Sequence, residues 1–387
     1  MIHPDKASEI IQSVKVTKST EVIPVAEALG RVLAEDIFSP LDSPPFDKSA
    51  MDGYAFSSSD IDKKLKIIAT IAAGEAHNIV LKTGECTKIM TGAMIPKGAD
   101  RVVKIENTTE ENGIMSFLLE KVKNIIKKGE NLKIGDKVIE KCIIRPQEIG
   151  VLSSLGMAKV KVAKQPLVGV ITTGTELKNP GEKLEIGQIY NSNGFQITAQ
   201  IQAMNCKAKY YGTVPDDMEK TFRIIKNAIE ECDVVILSGG VSMGDFDFVP
   251  KMLEENGVNI LIHKVAIKPG KPTLFGEKNG KYVFGLPGNP VSTFLIFEVF
   301  IKPFLYKVMD LLYVPNIVKG ILQTDLKRIK TERVAYKPVI LKNGKINPVT
   351  YHGSSHLNVL SETNALVMIH QGVSLLKKGT EVDVRQV

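Results

Sequence analysis

Leu167-Val-Gly-Val-Ile-Thr-Thr-Gly-Thr-Glu176 decides the fold. The run Leu167–Thr172 carries no charge and no polar alternation, which predicts a strand buried on both faces. The run then breaks into a loop of Thr, Gly and Glu. The same grammar recurs at Asp233–Leu237, which enters Ser238-Gly-Gly-Val-Ser242-Met-Gly-Asp245-Phe-Asp247, and at Tyr282–Leu286, which enters Pro287-Gly-Asn-Pro290. Lys207–Val214 reads as a further strand. The intervening segments are helical in pattern. One helix begins near Gly194. Another follows Asp216, a good N-cap, and sets Met218, Phe222, Ile225, Ile229 and Cys232 on one face. A third is expected over Phe248–Glu255, and a long one after Pro290. Strand and helix in alternation predict a doubly wound, mostly parallel sheet over roughly 165–307.

On either side the pattern changes. Residues 4–16 read as an amphipathic helix through Ala7, Ile10, Ile11 and Val14, and Val25–Leu33 as a second helical piece. Ser39-Pro-Leu-Asp-Ser-Pro-Pro-Phe46 is a turn-rich junction. Short β-like runs follow at Leu65–Ile71, Asn78–Leu81, Arg101–Glu106 and Ile114–Leu119, and 137–163 is also β-rich. Gln165-Pro166 marks the entry to the sheet region, and Val314-Pro315 sets off a final β-rich module. The fold class is therefore α/β plus β: a multidomain chain with a central parallel sheet and β-rich N-terminal and C-terminal parts.

Composition narrows the function. The 387 residues are 43% hydrophobic and 24% charged, with a net charge of +7, 6% aromatics and no Trp. This is a globular balance with room for two to four domains. A basic surface without aromatics interleaved gives nucleic-acid binding no support. Cys86, Cys142, Cys206 and Cys232 form no Cys-x-x-Cys pair, as reduced thiols of a cytoplasmic protein would not. The start carries charges early, and Val291–Leu305 is too short and too charged for a bilayer span, so neither targeting nor membrane insertion is expected.

The chemistry gathers at the strand ends. Ligands of open α/β sheets bind at the carboxyl ends of the strands. Loops of Gly, Ser, Thr, Asp and Glu suit a polar ligand, and exposed backbone N–H groups favour an anion. Three such loops on one sheet edge outweigh the reading of each as a tight turn. Lys268-Pro-Gly-Lys271-Pro272 adds a rigid cationic turn fit to clamp an oxyanion. Asp52, Glu176, Asp216, Asp245 and Asp247 supply carboxylates for a divalent cation. Gly240-Val-Ser242-Met-Gly244 matches a hydrolase nucleophile pattern, but two glycines separate the strand from the motif and two Asp follow it, so a serine hydrolase is a weak rival. His352-x-x-x-His356 encloses Gly-Ser-Ser and reads as a surface loop.

Taken together, six ordered motifs resemble those of the molybdopterin molybdotransferases, the family that includes the C-terminal domain of gephyrin. Pro44-Pro-Phe-Asp47-Lys-Ser-Ala-Met-Asp52-Gly-Tyr-Ala is similar to the family signature, and Thr91-Gly92-Ala-Met-Ile-Pro96-Lys-Gly-Ala-Asp100 to its second motif. The loops at Thr173-Gly174-Thr-Glu176, Ser238-Gly239-Gly240, Lys268-to-Pro272 and Leu286-to-Ser292 match the rest, so the resemblance spans the whole chain. It implies four domains: 1–44 with 125–163, 45–124, 164–312 and 313–387. It also implies a homodimer whose site joins the α/β domain of one subunit to the β-rich portion of its partner. The implied activity is insertion of molybdate (or tungstate) into adenylylated molybdopterin, with Mg²⁺-dependent release of AMP. Asp52, Glu176, Asp216, Asp247, Lys268 and Lys271 would act in catalysis, Asp247 and Asp216 as metal ligands. Thr91, Gly92, Thr173, Gly174, Ser238, Gly239, Gly240, Ser242, Pro287, Gly288, Arg333 and Ser354 would bind substrate. The alternatives are a molybdopterin adenylyltransferase and a non-catalytic scaffold. One departure stands out: Ile126 and Asn131 occupy positions where the family has Arg and Asp, leaving Lys127 or Lys128 to supply a cation.

Overall fold

A computed structural model describes residues 1–119, 121–214, 217–240 and 249–387. The chain forms two compact units, one of Met1–Ala34, Cys142–Arg145 and Lys159–Val387, the other of Glu35–Lys141 and Pro146–Ala158.

The larger unit is built on a six-stranded sheet ordered Lys207–Val214, Leu167–Thr173, Val234–Ser238, Lys281–Leu286, Leu274–Lys278, Asn259–Ile262. The first four strands are parallel, as read from their apolar runs, and Leu274–Lys278 runs antiparallel to both of its neighbours. The Leu274–Lys278 strand escapes a search for apolar runs because Gly276 and two charged residues dilute it. Its signal lies in the turn instead: Asn279 and Gly280 sit at φ 50° and 77°, a two-residue hairpin that reverses the chain into Lys281–Leu286. Register aligns the strand ends, pairing Thr172 with Thr213 and Ser238, and Ser238 with Leu286. One rung therefore delivers all three polar loops to the same edge.

Helices Asn193–Ala203, Met218–Glu231 and Val249–Glu255 cover the sheet, together with the segment from Pro290 to Val308, whose middle turn, Phe297–Ile301, widens into a π-helix. The Met218–Glu231 helix buries Ile225 and Ile229 as its periodicity requires, while Met218 stays exposed. Its cap is Asp217 rather than Asp216: the Asp217 carboxylate accepts from the Lys220 N–H at 2.9 Å. On the opposite face Phe275, Phe284, Phe297, Phe300 and Phe304 form the main core with Ala7 and Ile11 of the N-terminal helix Pro4–Ser13. The second helical piece shrinks to a single 3-10 turn, Val25–Glu27, because Gly30 at φ 73° turns the chain into bridges from Val32 and Leu33.

The C-terminal module is a closed ring of five strands: Val334–Lys342, Lys345–Pro348, Ile317–Leu322, Glu381–Gln386 and Ala365–Ile369, the last returning to the first. Ile267–Lys268 adds in parallel to Val334 and Ala335, which ties the cationic turn to this barrel.

The smaller unit holds a second six-stranded sheet, Arg101–Lys104, Gly53–Phe56, Glu85–Ile89, Leu65–Ile71, Ile114–Phe117, Thr108–Glu111, around Tyr54, Phe56, Leu65 and Met115. Asn78–Leu81 is not a strand there; only Val80 makes a bridge, to Lys97. Among the described residues no helix is long and apolar enough to cross a membrane.

Candidate functional site

Two cavities open at the carboxyl edge of the parallel sheet, and they share Pro272, Pro287 and Asn289 as walls.

The first is a cleft of about 850 Å³ lined by the Thr173-Gly174-Thr-Glu176, Ser238-Gly239-Gly240 and Pro287-Gly288 loops. Two asparagines brace it. Asn191 Nδ2 donates to the hydroxyls of Thr172 and Thr213, both at 3.0 Å, while its Oδ1 accepts from the Gly194 N–H. Asn193 Nδ2 donates to Ser238 Oγ at 2.9 Å and to the Gly288 carbonyl at 2.7 Å. That carbonyl only accepts, which fixes the orientation of the amide. The Thr173 hydroxyl and Asn193 Oδ1 are buried without a hydrogen-bond partner among the described residues. Gly239 sits at φ 99°, and a Cβ there would stand 2.4 Å from the Thr173 carbonyl oxygen. The glycine is thus a requirement of close backbone approach as well as of conformation. Glu176 folds back over Gly174, where a Cβ would meet its Oε2 at 2.6 Å. It is the one carboxylate lining the cleft among the described residues.

The second cavity, about 350 Å³, is cationic. Lys268, Lys271, Arg328, Arg333 and Lys337 line it, with Ser354 and Tyr351, and among the described residues no carboxylate does. Arg333 is anchored by a bond to the Ile267 carbonyl at 3.2 Å. Arg328 is held by the carbonyls of Val373 and Arg333 at 2.6 Å. The Ser354 carbonyl accepts from the Val291 N–H at 3.1 Å, which joins the 353–355 loop to the start of the Pro290–Ile296 helix. Burial, then the charges of Lys268 and Arg328, hold Lys337 below the usual lysine range. Burial pushes the Tyr351 phenol up to about 12.

In the smaller unit the two N-terminal motifs meet. Asp52 Oδ1 accepts from the Thr91 backbone N–H at 2.7 Å and from its hydroxyl at 2.8 Å. These bonds hold the carboxyl below its ordinary value. Gly92, at φ 82°, donates its N–H to the Ser49 carbonyl. Where Ile126 departs from the family pattern, Lys127 Nζ lies 2.7 Å from Asp47 and Lys128 Nζ 3.4 Å from Asp42. Both lysines are therefore occupied by local carboxylates.

Of the residues read from sequence, the cleft takes Thr173, Gly174, Glu176, Ser238, Gly239, Gly240, Pro287 and Gly288. The cationic pocket takes Lys268, Lys271, Arg333 and Ser354, and Pro287 borders it too. Asp216, Ser242, Asp245 and Asp247 lie outside the described residues, as does most of the Gly240-to-Gly244 pattern. Asn191, Asn193, Arg328, Lys337 and Tyr351 were missed. The asparagines were legible as Asn191-Ser-Asn193, two amides immediately before a helix. Lys337 was legible as a lysine inside an otherwise apolar strand. His352 and His356 do lie in a loop, their rings 5.2 Å apart. Among the described residues no group of three or more His, Cys, Asp or Glu converges to hold a metal ion.

Known families match the chain in three successive stretches. The MoeA N-terminal region (domain I and II) matches residues 2–156, the probable molybdopterin binding domain residues 169–307, and the MoeA C-terminal region (domain IV) residues 319–387. The molybdopterin molybdenumtransferase of Staphylococcus aureus (strain N315) is 37% identical over 399 residues, covering 99% of this chain and 95% of its own length. That of Staphylococcus epidermidis (strain ATCC 12228) is 37% identical over 92% of this chain and 89% of its own. The crystal structure of the molybdopterin biosynthesis moeA protein from Pyrococcus horikoshii OT3 superposes with a TM-score of 0.88 at 32% identity, covering 100% of both chains.

Proposed function

This chain belongs to the MoeA family of molybdopterin molybdenumtransferases, and from that premise we propose how its two cavities divide the work of the reaction. The chain is a metal-inserting enzyme of molybdenum cofactor biosynthesis. Its pterin substrate enters in the adenylylated form, and the cleft receives the pterin and phosphates through backbone N–H groups and hydroxyls. Molybdate, or tungstate in its place, enters the cationic pocket. The observation that carries this reading is the pocket itself: among the described residues it has five cations and no carboxylate, and it shares three wall residues with the cleft.

Cations held so close repel one another, and a doubly charged oxyanion offsets that repulsion. Lys268, Lys271 and Arg333 then hold molybdate beside the phosphoanhydride while Ser354 orients it. Water opens the anhydride, releasing AMP and leaving the pterin its own phosphate, and the dithiolene sulfurs bind the metal as one molybdate oxygen departs as water with the two thiol protons. Lysines facing the charge that develops on the departing phosphate are the main source of acceleration, and juxtaposition of two anions is the second. Mg²⁺ takes most of its ligands from water and phosphate, so the single described carboxylate of the cleft, Glu176, fits it. With Asp247 and Asp216 it would hold the ion, which supplies a Lewis acid to the anhydride when bound. Asp52, Thr91 and Gly92 complete the site from the partner of a cytoplasmic homodimer, in a four-domain chain with the boundaries read above.

The test is AMP release from adenylylated molybdopterin by purified protein with Mg²⁺, with and without molybdate. Release that requires molybdate supports the reading. ATP consumption with free molybdopterin would assign the chain to adenylyl transfer instead. A strictly monomeric preparation of full activity would remove the shared site.

A further inference from the structure

Lys337 stands where the strand pattern calls for an apolar residue. Ala335, Lys337 and Val339 alternate along Val334–Lys342 and so share one face. Ala335 and Val339 are buried in the apolar core of the C-terminal barrel. Between them the lysine is only half-buried, and its ammonium lies 5.4 Å from the centre of the Tyr351 ring. It has no carboxylate within ion-pair distance among the described residues. Its charged neighbours are Lys268 and Lys271 from the proline-bounded turn, and Arg328 and Arg333 from the loop before its own strand. The phenols of Tyr336 and Tyr351 are the remaining titratable groups on the pocket wall among the described residues. An aliphatic side chain would pack the barrel without the cost of desolvating an ammonium beside four like charges. The stem of the lysine covers apolar surface while its head reaches the pocket.

We propose that Lys337 is a further oxyanion-binding residue, whose ammonium closes the barrel side of the cationic pocket on a tetrahedral dianion. The assignment rests on the reading that this pocket takes molybdate. Tyr351 orients the ammonium through its ring face. A dianion bound against Lys337 favours its charged form, so binding takes up a proton once the pH passes the free lysine's depressed pKa.

The experiment is calorimetric titration of sodium molybdate into the full chain at fixed ionic strength. The variants are Lys337→Met, Lys337→Arg and, as a control on the exposed end of the same strand, Lys342→Met. Lys337→Met should weaken molybdate binding by about ten- to hundredfold, with thermal stability equal to or above the parent's. Lys337→Arg should recover most of the affinity, and Lys342→Met should bind as the parent does. A second readout is independent of the Met variant. As pH rises through the free lysine's depressed pKa, the parent's affinity should fall by up to about tenfold per unit as Lys337 deprotonates. That component should vanish in Lys337→Arg, because a guanidinium stays charged throughout. Parent-like molybdate affinity in Lys337→Met overturns the assignment, as does an identical pH slope in parent and Lys337→Arg. Failure of the parent itself to bind molybdate would instead overturn the reading of the pocket.

Discussion

The cleft and the cationic pocket are neighbours with opposite construction. The cleft is walled by glycines, hydroxyls and amides whose geometry is set by hydrogen bonds, with Asn191 and Asn193 tying strand ends together. The pocket is walled by charges with nothing of opposite sign among the described residues to balance them. Hydrogen-bonded walls discriminate by shape and by donor pattern. Unbalanced cations bind anything small and doubly negative, with strength that salt erodes. An enzyme that must tell one pterin apart from other heterocycles yet accept a featureless oxyanion needs one wall of each kind. The sharpest way to break this division is Lys271→Ala. It should lower molybdate-dependent AMP release by about 10²–10³-fold, the scale of losing one oriented charge in a dry site. Binding of the adenylylated pterin should remain near the parent value, measured by calorimetry. If both fall together, the two cavities are one site and the contrast disappears.

Gly239→Ala probes the other side. The new Cβ would face the Thr173 carbonyl oxygen at 2.4 Å from a backbone at φ 99°, and neither backbone segment yields cheaply. About 3 kcal/mol of destabilisation is expected from strain and overlap, read by urea unfolding. Any residual folded protein should lose pterin binding before molybdate binding. Asn193→Ala is milder. It leaves the Gly288 carbonyl and Ser238 hydroxyl without their donor and should cost about 1–2 kcal/mol. Its loosened strand ends should weaken pterin binding while the calorimetric molybdate isotherm stays unchanged.

The two cavities were unequally legible in the sequence. The cleft was readable because glycine and strand patterns are local: Thr172, Ser238 and Leu286 end apolar runs, and parallel register then places them on one rung. Two strands of the same sheet were lost for the converse reason. Asn259–Ile262 is a short edge strand, and Leu274–Lys278 is a short strand beside it whose main signal is the turn at Asn279-Gly280. In the cationic pocket, Lys268 and Lys271 were readable from their turn, and Arg333 and Ser354 came with the family resemblance. Arg328 was not, and Lys337 showed only as a lysine in an apolar run with no site to join, because the relevance of both comes from a parallel pairing of Ile267–Lys268 with Val334 and Ala335, across 67 positions of chain. No spacing rule anticipates that contact. Asp216 was misplaced as a cap for a simpler reason: Asp217 beside it offers the same carboxylate one residue nearer the helix.

Asp52 supplies a third kind of electrostatics, a carboxylate balanced by hydrogen bonds rather than by a cation. Its backbone partner, the Thr91 N–H, and then the Thr91 hydroxyl hold its folded pKa below the ordinary 3.8. A depressed carboxyl stabilises the fold above its unfolded pKa and loses that contribution as pH falls through the folded one. The stability difference between parent and Asp52→Asn should therefore be constant from neutrality down to about pH 5 and shrink below about pH 4. The effect should be small, since both partners are exposed. Urea unfolding across that range measures it. The same variant also separates structure from chemistry. Suppose Asn holds the Thr91 loop at pH 7 yet AMP release collapses. The charge of Asp52 then belongs to the reaction, and the cleft is not the only wall that reads the pterin phosphate. Unchanged release would confine Asp52 to shaping its loop and leave the cleft and the pocket to account for the chemistry alone.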